Sequence, residues 1–308
     1  MRRSVFVHVS VSLILCLLAA LRIQAEAVPD AEPISTYDDG AALIDVFFSD
    51  LKQGRVGLVR LIDANLADGQ ILVFGATYPT FVIDDARYAF VSVPMEQAIR
   101  TYEAQAQFIY EDGDEKTVSF PLEVSSGGFI QQSVDIPGID ESILNPEIEA
   151  NELGSIFDIA SQITEDVLWD ENGFNLGVNR EFTSPFGAVR LFNGTYNTLH
   201  TGWDYQASTG ESTHSIASGR VVFAGHLPIR GNYVLIDHGR GIYSGYAHMS
   251  VVFVTQGQQI YAGQRLGRVG STGRSSSAHA HIEMIAHGNW VDVADFLMMY
   301  RDNGPTSD

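Results

Sequence analysis

From about Ala42 to Val124, apolar residues come in short runs separated by turn residues, a texture that predicts strands rather than helices. The runs are Val56–Ile62, Gln70–Phe74, Thr80–Ile83, Tyr88–Val93, Phe108–Tyr110 and Thr117–Leu122; Ala67-Asp68-Gly69 and Glu111-Asp112-Gly113-Asp114 are among the breaks. Such spacing predicts a small antiparallel β-sandwich. The period then changes. Asn145-Pro146 reads as an N-cap with proline in the first turn, and Glu147 and Glu149 sit near the positive end of the helix dipole. Leu153, Ile156, Phe157, Ala160, Ile163 and Val167 follow at helical spacing. Beyond Ser184 glycines punctuate a new set of strands: Arg220–Ala224, Tyr233–Asp237, Ile242–Ala247, Arg265–Val269 and His279–Ile285.

The expected fold is therefore all-β. An N-terminal antiparallel β-sandwich-like domain covers residues 26–141 and a linker helix residues 142–178. A C-terminal glycine-rich antiparallel β domain covers residues 179–297, and 298–308 form a tail. Residues 1–25 read as an export signal. Arg2 and Arg3 precede an apolar run from Val5 to Leu21, and Ala25-Glu26-Ala27 offers the small-x-small pattern of a cleavage site. The run is short for a bilayer, which needs roughly 20 apolar residues, so cleavage is expected rather than an uncleaved anchor; no second such run follows, so no membrane association is expected after cleavage. The only cysteine, Cys16, lies inside it, which removes thiol chemistry and disulfides from the mature chain.

Composition sharpens this division. The 308 residues carry a formal charge of −20, which argues against nucleic acid as a partner. Nearly all the excess lies in residues 26–178, with 29 Asp/Glu against 6 Lys/Arg; residues 179–308 hold 9 of each. Of nine histidines, eight lie at or beyond residue 200. His279-Ala-His281 falls in a predicted strand, where alternate side chains share a face, so the two rings project together roughly 6.6 Å apart. At that separation they cannot easily serve one metal with equal geometry; one ligand and one neighbour is the natural division. His200 and Asp204, with three residues between them, offer two further ligands, and a set of two histidines and one aspartate leaves a fourth tetrahedral position for water. Each spacing alone is weak, and a lone strand histidine is more often solvated or hydrogen-bonded in a core.

The surroundings change that balance. Ser184-Pro-Phe-Gly-Ala-Val-Arg190, His200-x₃-Asp204, Gly231-Asn-Tyr-Val-Leu-Ile-Asp-His-Gly239, Tyr246-Ala-His-Met-Ser250, Val269-Gly-Ser-Thr-Gly-Arg-Ser275 and His279-Ala-His-Ile-Glu283 occur in that order. Over about residues 180–297 this resembles the lysostaphin-like (LytM-type) zinc endopeptidases, which cleave peptide cross-links of bacterial peptidoglycan. The resemblance implies one Zn²⁺ per chain held by His200, Asp204 and His281, with His248 and His279 as catalytic histidines beside a zinc-bound water. It also implies stem or bridge peptides of peptidoglycan as substrate, and the export signal implies a periplasmic or secreted location. The family commonly has Gly, Pro and Leu where this chain has Ser277, Ala278 and Ala280, and Phe where it has Ile282, which alters the turn before the strand.

Glu283 shares the face of His279 and His281 and reads either as an acceptor for a ring N–H or as a solvent-facing ion pair. His214, His226 and His287 read as surface residues, and His238 as part of the hairpin turn after Asp237. Phe47, Phe48, Tyr78 and Phe81 read as sandwich core rather than a ligand surface. The acidic N-terminal domain is a candidate to fold back over the active site. No phosphate loop, dinucleotide fingerprint or Gly-x-Ser-x-Gly elbow is present, and Asp112-Gly-Asp114 reads as a hairpin tip. The rival function is that of a catalytically inactive relative, binding cell wall or activating another wall hydrolase.

Overall fold

The computed structural model describes residues 32–303, apart from 39, 41, 84, 85, 137, 139, 140, 177–180 and 195. The expected export signal and residues 304–308 of the expected tail lie outside the described residues.

The first ten strands are β1 (Ser35–Asp38), β2 (Leu43–Val46), β3 (Leu51–Lys52), β4 (Val56–Ile62), β5 (Leu66–Val73), β6 (Ala76–Pro79), β7 (Phe81–Ile83), β8 (Ala86–Ser92), β9 (Thr101–Tyr110) and β10 (Glu115–Ser125). They form two five-stranded sheets, β1-β2-β4-β8-β7 and β3-β10-β9-β5-β6. Between them lie Ile44, Val59, Leu61, Ile71, Ala104, Phe108, Phe120 and Leu122, all buried, as alternation along a strand requires. Tyr78 and Phe81 are buried and Phe48 is partly buried.

The first sheet is covered on its other face as well. Leu58, Phe81, Tyr88 and Phe90 point away from the sandwich interior and share a core with Trp169, Phe174, Phe296 and Tyr300. This explains why β4 and β8 read as nearly unbroken apolar runs, since a strand buried on both faces has no polar side. Phe90 packs 4.9 Å from Phe81 and 5.6 Å from Phe296, ring centre to ring centre.

The chain continues through β11 (Gln131–Val134) into α1 (Pro146–Ala160). The Asn145 side chain accepts from the Glu147 N–H at 2.8 Å and caps the helix. The predicted helix over 142–178 is too long: α1 ends at Ala160, and Ile163 and Val167 lie outside it although they continue its period. Beyond Ser161 the chain is drawn into pairing with a hairpin instead. Thr164 Oγ1 donates to Asp237, the Thr164 carbonyl accepts from Arg240, and Val167 bridges Gly239. These tertiary bonds outweigh a helical pattern that is worth little by itself.

The remaining strands are β12 (Phe182–Ser184), β13 (Val189–Phe192), β14 (Tyr196–Leu199), β15 (Gly202–Gln206), β16 (Ser212–His214), β17 (Gly219–Leu227), β18 (Gly231–Gly239), β19 (Ile242–Met249), β20 (Val251–Val252), β21 (Gln259–Ile260), β22 (Arg265–Arg268), β23 (His279–Ala286) and β24 (Asn289–Val291). An eight-stranded sheet runs β12-β15-β23-β19-β18-β17-β21 with β24 on β23, flanked by the small sheets β11-β13-β14 and β16-β22-β20. A second helix, α2 (Val293–Asn303), replaces most of the expected tail at 298–308. Asp292 accepts from the N–H groups of Ala294 and Asp295, while Val293, Phe296 and Tyr300 bury one face. Among the described residues, no helix is long and apolar enough to cross a membrane.

His238 and His287 depart furthest from expectation. His238 is fully buried inside β18 rather than in a turn, its ring joined to the Ser218 carbonyl at 2.8 Å and to Ser244 Oγ at 2.7 Å. His287 is partly buried, packed edge-on against Tyr78. Burial pushes both imidazoles down to about 4.

Two predictions follow from the packing. Between pH 6.5 and 4 the unfolded chain binds protons at these positions and the folded chain does not, so stability falls as pH falls through that window. Urea unfolding at steps of pH on metal-free protein checks this, and a flat profile there contradicts the buried-neutral assignment. Phe90→Ala removes a ring shared between the sandwich and α2, and is expected to cost about 3–5 kcal/mol in the same assay.

Candidate metal centre

Strand register brings the distant segments together. Asp204 of β15 lies directly opposite His281 of β23, and Ala247 of β19 lies opposite His281 on the other side. His248 is the next residue, and it takes a left-handed backbone with φ +57°. That conformation is costly for a residue with a Cβ. It is held by the His248 N–H donating to the Arg230 carbonyl and by the His248 carbonyl accepting from Thr272. His200 sits just before β15, where its N–H donates to the Ala188 carbonyl and its own carbonyl accepts from Gly187. Gly202 makes room for the cluster: a Cβ there would stand 2.9 Å from the His281 ring.

The donor atoms converge on one carboxylate oxygen. Asp204 Oδ1 lies 3.1 Å from His200 Nε2, 2.9 Å from His281 Nδ1 and 3.3 Å from His279 Nε2. His200 Nε2 and His281 Nδ1 are 3.1 Å apart. Three ligands bound tetrahedrally at 2.0–2.1 Å would lie about 3.3 Å apart, close to this triangle. The second carboxylate oxygen, Oδ2, accepts from Arg190, which also donates to Ser184.

Partner chemistry fixes the ring tautomers, because a carbonyl can only accept. His200 Nδ1–H donates to Pro185 at 2.7 Å, His248 Nδ1–H to Thr272 at 2.8 Å and His279 Nδ1–H to Ser277 at 2.8 Å. In the neutral ring the Nε2 of each then carries a lone pair. His281 differs, with Nδ1 toward Asp204 and Nε2 3.5 Å from Glu283 Oε2. The ring centres of His248 and His279 are 5.0 Å apart, and those of His279 and His281 are 6.5 Å apart.

Electrostatics follow the same division. Burial pushes His200 down to about 4 and His248 well below the usual imidazole value. Burial alone would raise the Asp204 carboxyl, but His200 and the other rings hold it well below the carboxylate range. Burial would lower His281, but Asp204 and Glu283 outweigh it and raise the ring. The proton between His281 and Asp204 is the one a cation would displace. His200, Asp204 and His281 thus form one group able to hold a metal ion, all buried, and His248, His279 and His281 form an adjoining one.

Glu283 is fully buried, so the solvent-facing alternative is excluded. It accepts from Arg230, Tyr233 and Thr201. Arg190 was visible in the Ser184–Arg190 stretch without a role; Arg230 and Glu152 gave no sequence signal, since their partners lie 53 and 78 residues away. The groove beside the cluster is walled by Gln132–Asp135, Thr183, Arg190, Phe192 and Arg274–His279, and Glu149 lines the inner cavity. Of the acidic segment 26–178, strand β11 and helix α1 border the site. None of the strands β1–β10 lines either cavity.

The segment that carries the cluster is also the one that matches known proteins. Residues 198–293 match Peptidase family M23. The chain is 38% identical over 112 residues to peptidoglycan DD-endopeptidase ShyA of Vibrio cholerae, covering 36% of this chain and 26% of the relative. It is 37% identical over 97 residues to murein hydrolase activator NlpD of Salmonella typhimurium, covering 31% and 26%. The chain thus spans about a quarter of the length of these relatives. A crystal structure described as a peptidase M23 from Pseudomonas aeruginosa superposes with a TM-score of 0.58 at 21% identity, over 82% of this chain and 96% of that one, a likeness of fold. By these matches residues 198–293 form a domain similar to peptidase family M23.

Proposed function

We propose that this chain is an exported, zinc-dependent endopeptidase that hydrolyses peptide cross-links of bacterial peptidoglycan. The observation that carries the reading is the meeting of His200 Nε2, His281 Nδ1 and Asp204 Oδ1 in one buried triangle. Two imidazoles and a carboxylate suit a borderline-soft dication such as Zn²⁺. Bound there, Zn²⁺ would supply Lewis acidity toward a peptide carbonyl and would acidify water at neutral pH.

The side chains of the protein do the rest. His248 and His279 present Nε2 lone pairs beside the triangle, with Nδ1 tied to carbonyls, so each can take a proton at Nε2 and return it to a leaving amine. Asp204 offsets part of the cation charge, and Arg190 keeps its second oxygen turned away from the donors. Substrate peptide lies along the groove between β11 and residues 274–279. The chain's departures from the family pattern, Ser277, Ala278 and Ala280, line or adjoin that groove, which makes them candidates for setting which cross-link fits.

The activator reading, suggested by the likeness to NlpD, requires binding without chemistry. The presence of all five side chains, arranged as two adjoining groups that share His281, favours the enzyme.

Incubation of the mature protein with isolated peptidoglycan, with and without chelator, tests the proposal, new amino termini being identified by mass spectrometry. His281→Ala is expected to lose both bound zinc and release of fragments. His248→Ala is expected to keep zinc while the rate drops by about 10²–10⁴-fold. Release by His281→Ala at the wild-type rate, or by the wild type in excess chelator, overturns the proposal.

A further inference from the structure

The buried ion pairs behind the cluster lead from the metal centre to a helix outside the family match. Glu283 stands two residues from His281 on the same face of β23, its Oε2 3.5 Å from His281 Nε2. A fully buried carboxylate must be compensated, and here Arg230 does so with a forked contact: Nε to Oε1 at 2.7 Å and Nη2 to Oε2 at 2.9 Å. Thr201 and Tyr233 donate to the same carboxylate at 2.7 and 2.5 Å. Arg230 is held in turn from α1. Glu152 accepts from its Nη1 at 3.0 Å, from its backbone N–H at 3.1 Å and from the Ile229 N–H at 2.6 Å. Glu152 is 4% exposed, Arg230 5% and Glu283 0%, so water does not substitute for any of these contacts.

We propose that Glu152 of α1 is a positioning residue for the metal centre: through Arg230 and Glu283 it fixes the His281 ring so that Nδ1 faces Asp204 and His200. The inference rests on the metal-centre reading above and extends the working unit to residues 146–160, outside the matched 198–293. The backbone contacts of Glu152 also place the Arg230 carbonyl, which receives the N–H of the left-handed His248. One side chain of α1 therefore governs both a ligand and its catalytic neighbour. Glu149, one turn earlier on the same helix, provides the internal control. It is buried too, but its carboxylate pairs bidentately with Arg274 and accepts from Thr198.

The test uses the full mature chain and compares wild type, Glu152→Gln, Glu149→Gln and Arg230→Lys. Folding is checked by far-UV circular dichroism. Zn²⁺ affinity is measured by competition with a chromogenic chelator, and the ring N–H protons of His281 are observed by NMR on metal-free protein. E152Q is expected to fold, to bind Zn²⁺ about tenfold more weakly, and to lose the exchange-protected Nε2–H signal of His281. R230K keeps the buried charge without the fork and is expected to do the same, standing in for E152Q should that variant not fold. E149Q is expected to retain both properties. Wild-type affinity and ring signal in folded E152Q overturn the proposal, as does an equal loss in E149Q, which would mean that helix docking alone matters. If the wild type binds no Zn²⁺, the metal reading falls by itself, and the ring signal still decides the relay.

Discussion

A single buried carboxylate oxygen organises this molecule. Asp204 Oδ1 is within 3.3 Å of nitrogen atoms from three imidazoles, and its partner oxygen is taken by Arg190. Such a cluster survives burial only if every other polar atom around it is committed elsewhere. That is what the surrounding loops accomplish. Pro185, Thr272 and Ser277 supply carbonyls that accept the Nδ1 protons of His200, His248 and His279, leaving one lone pair per ring aimed inward. Backbone carbonyls cannot be mutated away, which makes the aim of the rings a property of the fold.

The large sheet separates chemistry from support along one strand. His279 and His281 occupy one end of β23, while Ala286, about 17 Å further on, accepts a hydrogen bond from Ser92 of the sandwich. The sandwich consequently braces the far end of the strand through Phe90, Phe81 and the aromatic residues of α2. Nearer the site, Glu149 and Glu152 of α1 dock onto Arg274 and Arg230. Among the described residues the strongly acidic N-terminal half thus meets the neutral C-terminal half through the buried pairs Glu149–Arg274 and Glu152–Arg230 and the partly exposed pair Arg55–Asp295.

Much of this was legible in the amino-acid order. Strand alternation placed His279 and His281 on one face with a separation that matches the observed 6.5 Å between rings, and the apolar runs of β4, β8, β18 and β19 marked the sheets. Long β9 and β10 were seen only in part, as Phe108–Tyr110 and Thr117–Leu122. The rest of β9 sets alanines among polar residues, and β10 begins on the charged pair Glu115-Lys116, so both give a weak apolar signal. Helix α2 did carry a signal, Asp292 before Val293, Phe296, Leu297 and Tyr300 at i, i+3, i+4 and i+7, and the chain end obscured it. The extent of α1 was not legible, because Thr164 and Val167 pair with residues some 70 positions away. For the same reason the Glu152–Arg230–Glu283 network left no trace: local period reports which face is buried, not which distant charge meets it.

The central claim is that one divalent ion sits where His200, Asp204 and His281 meet. Anomalous diffraction at the zinc edge from crystals grown with stoichiometric Zn²⁺ measures this directly. The account predicts one peak per chain, about 2.0–2.2 Å from His200 Nε2, Asp204 Oδ1 and His281 Nδ1. A peak held by His248 and His279 instead, or no peak at that triangle, would contradict it.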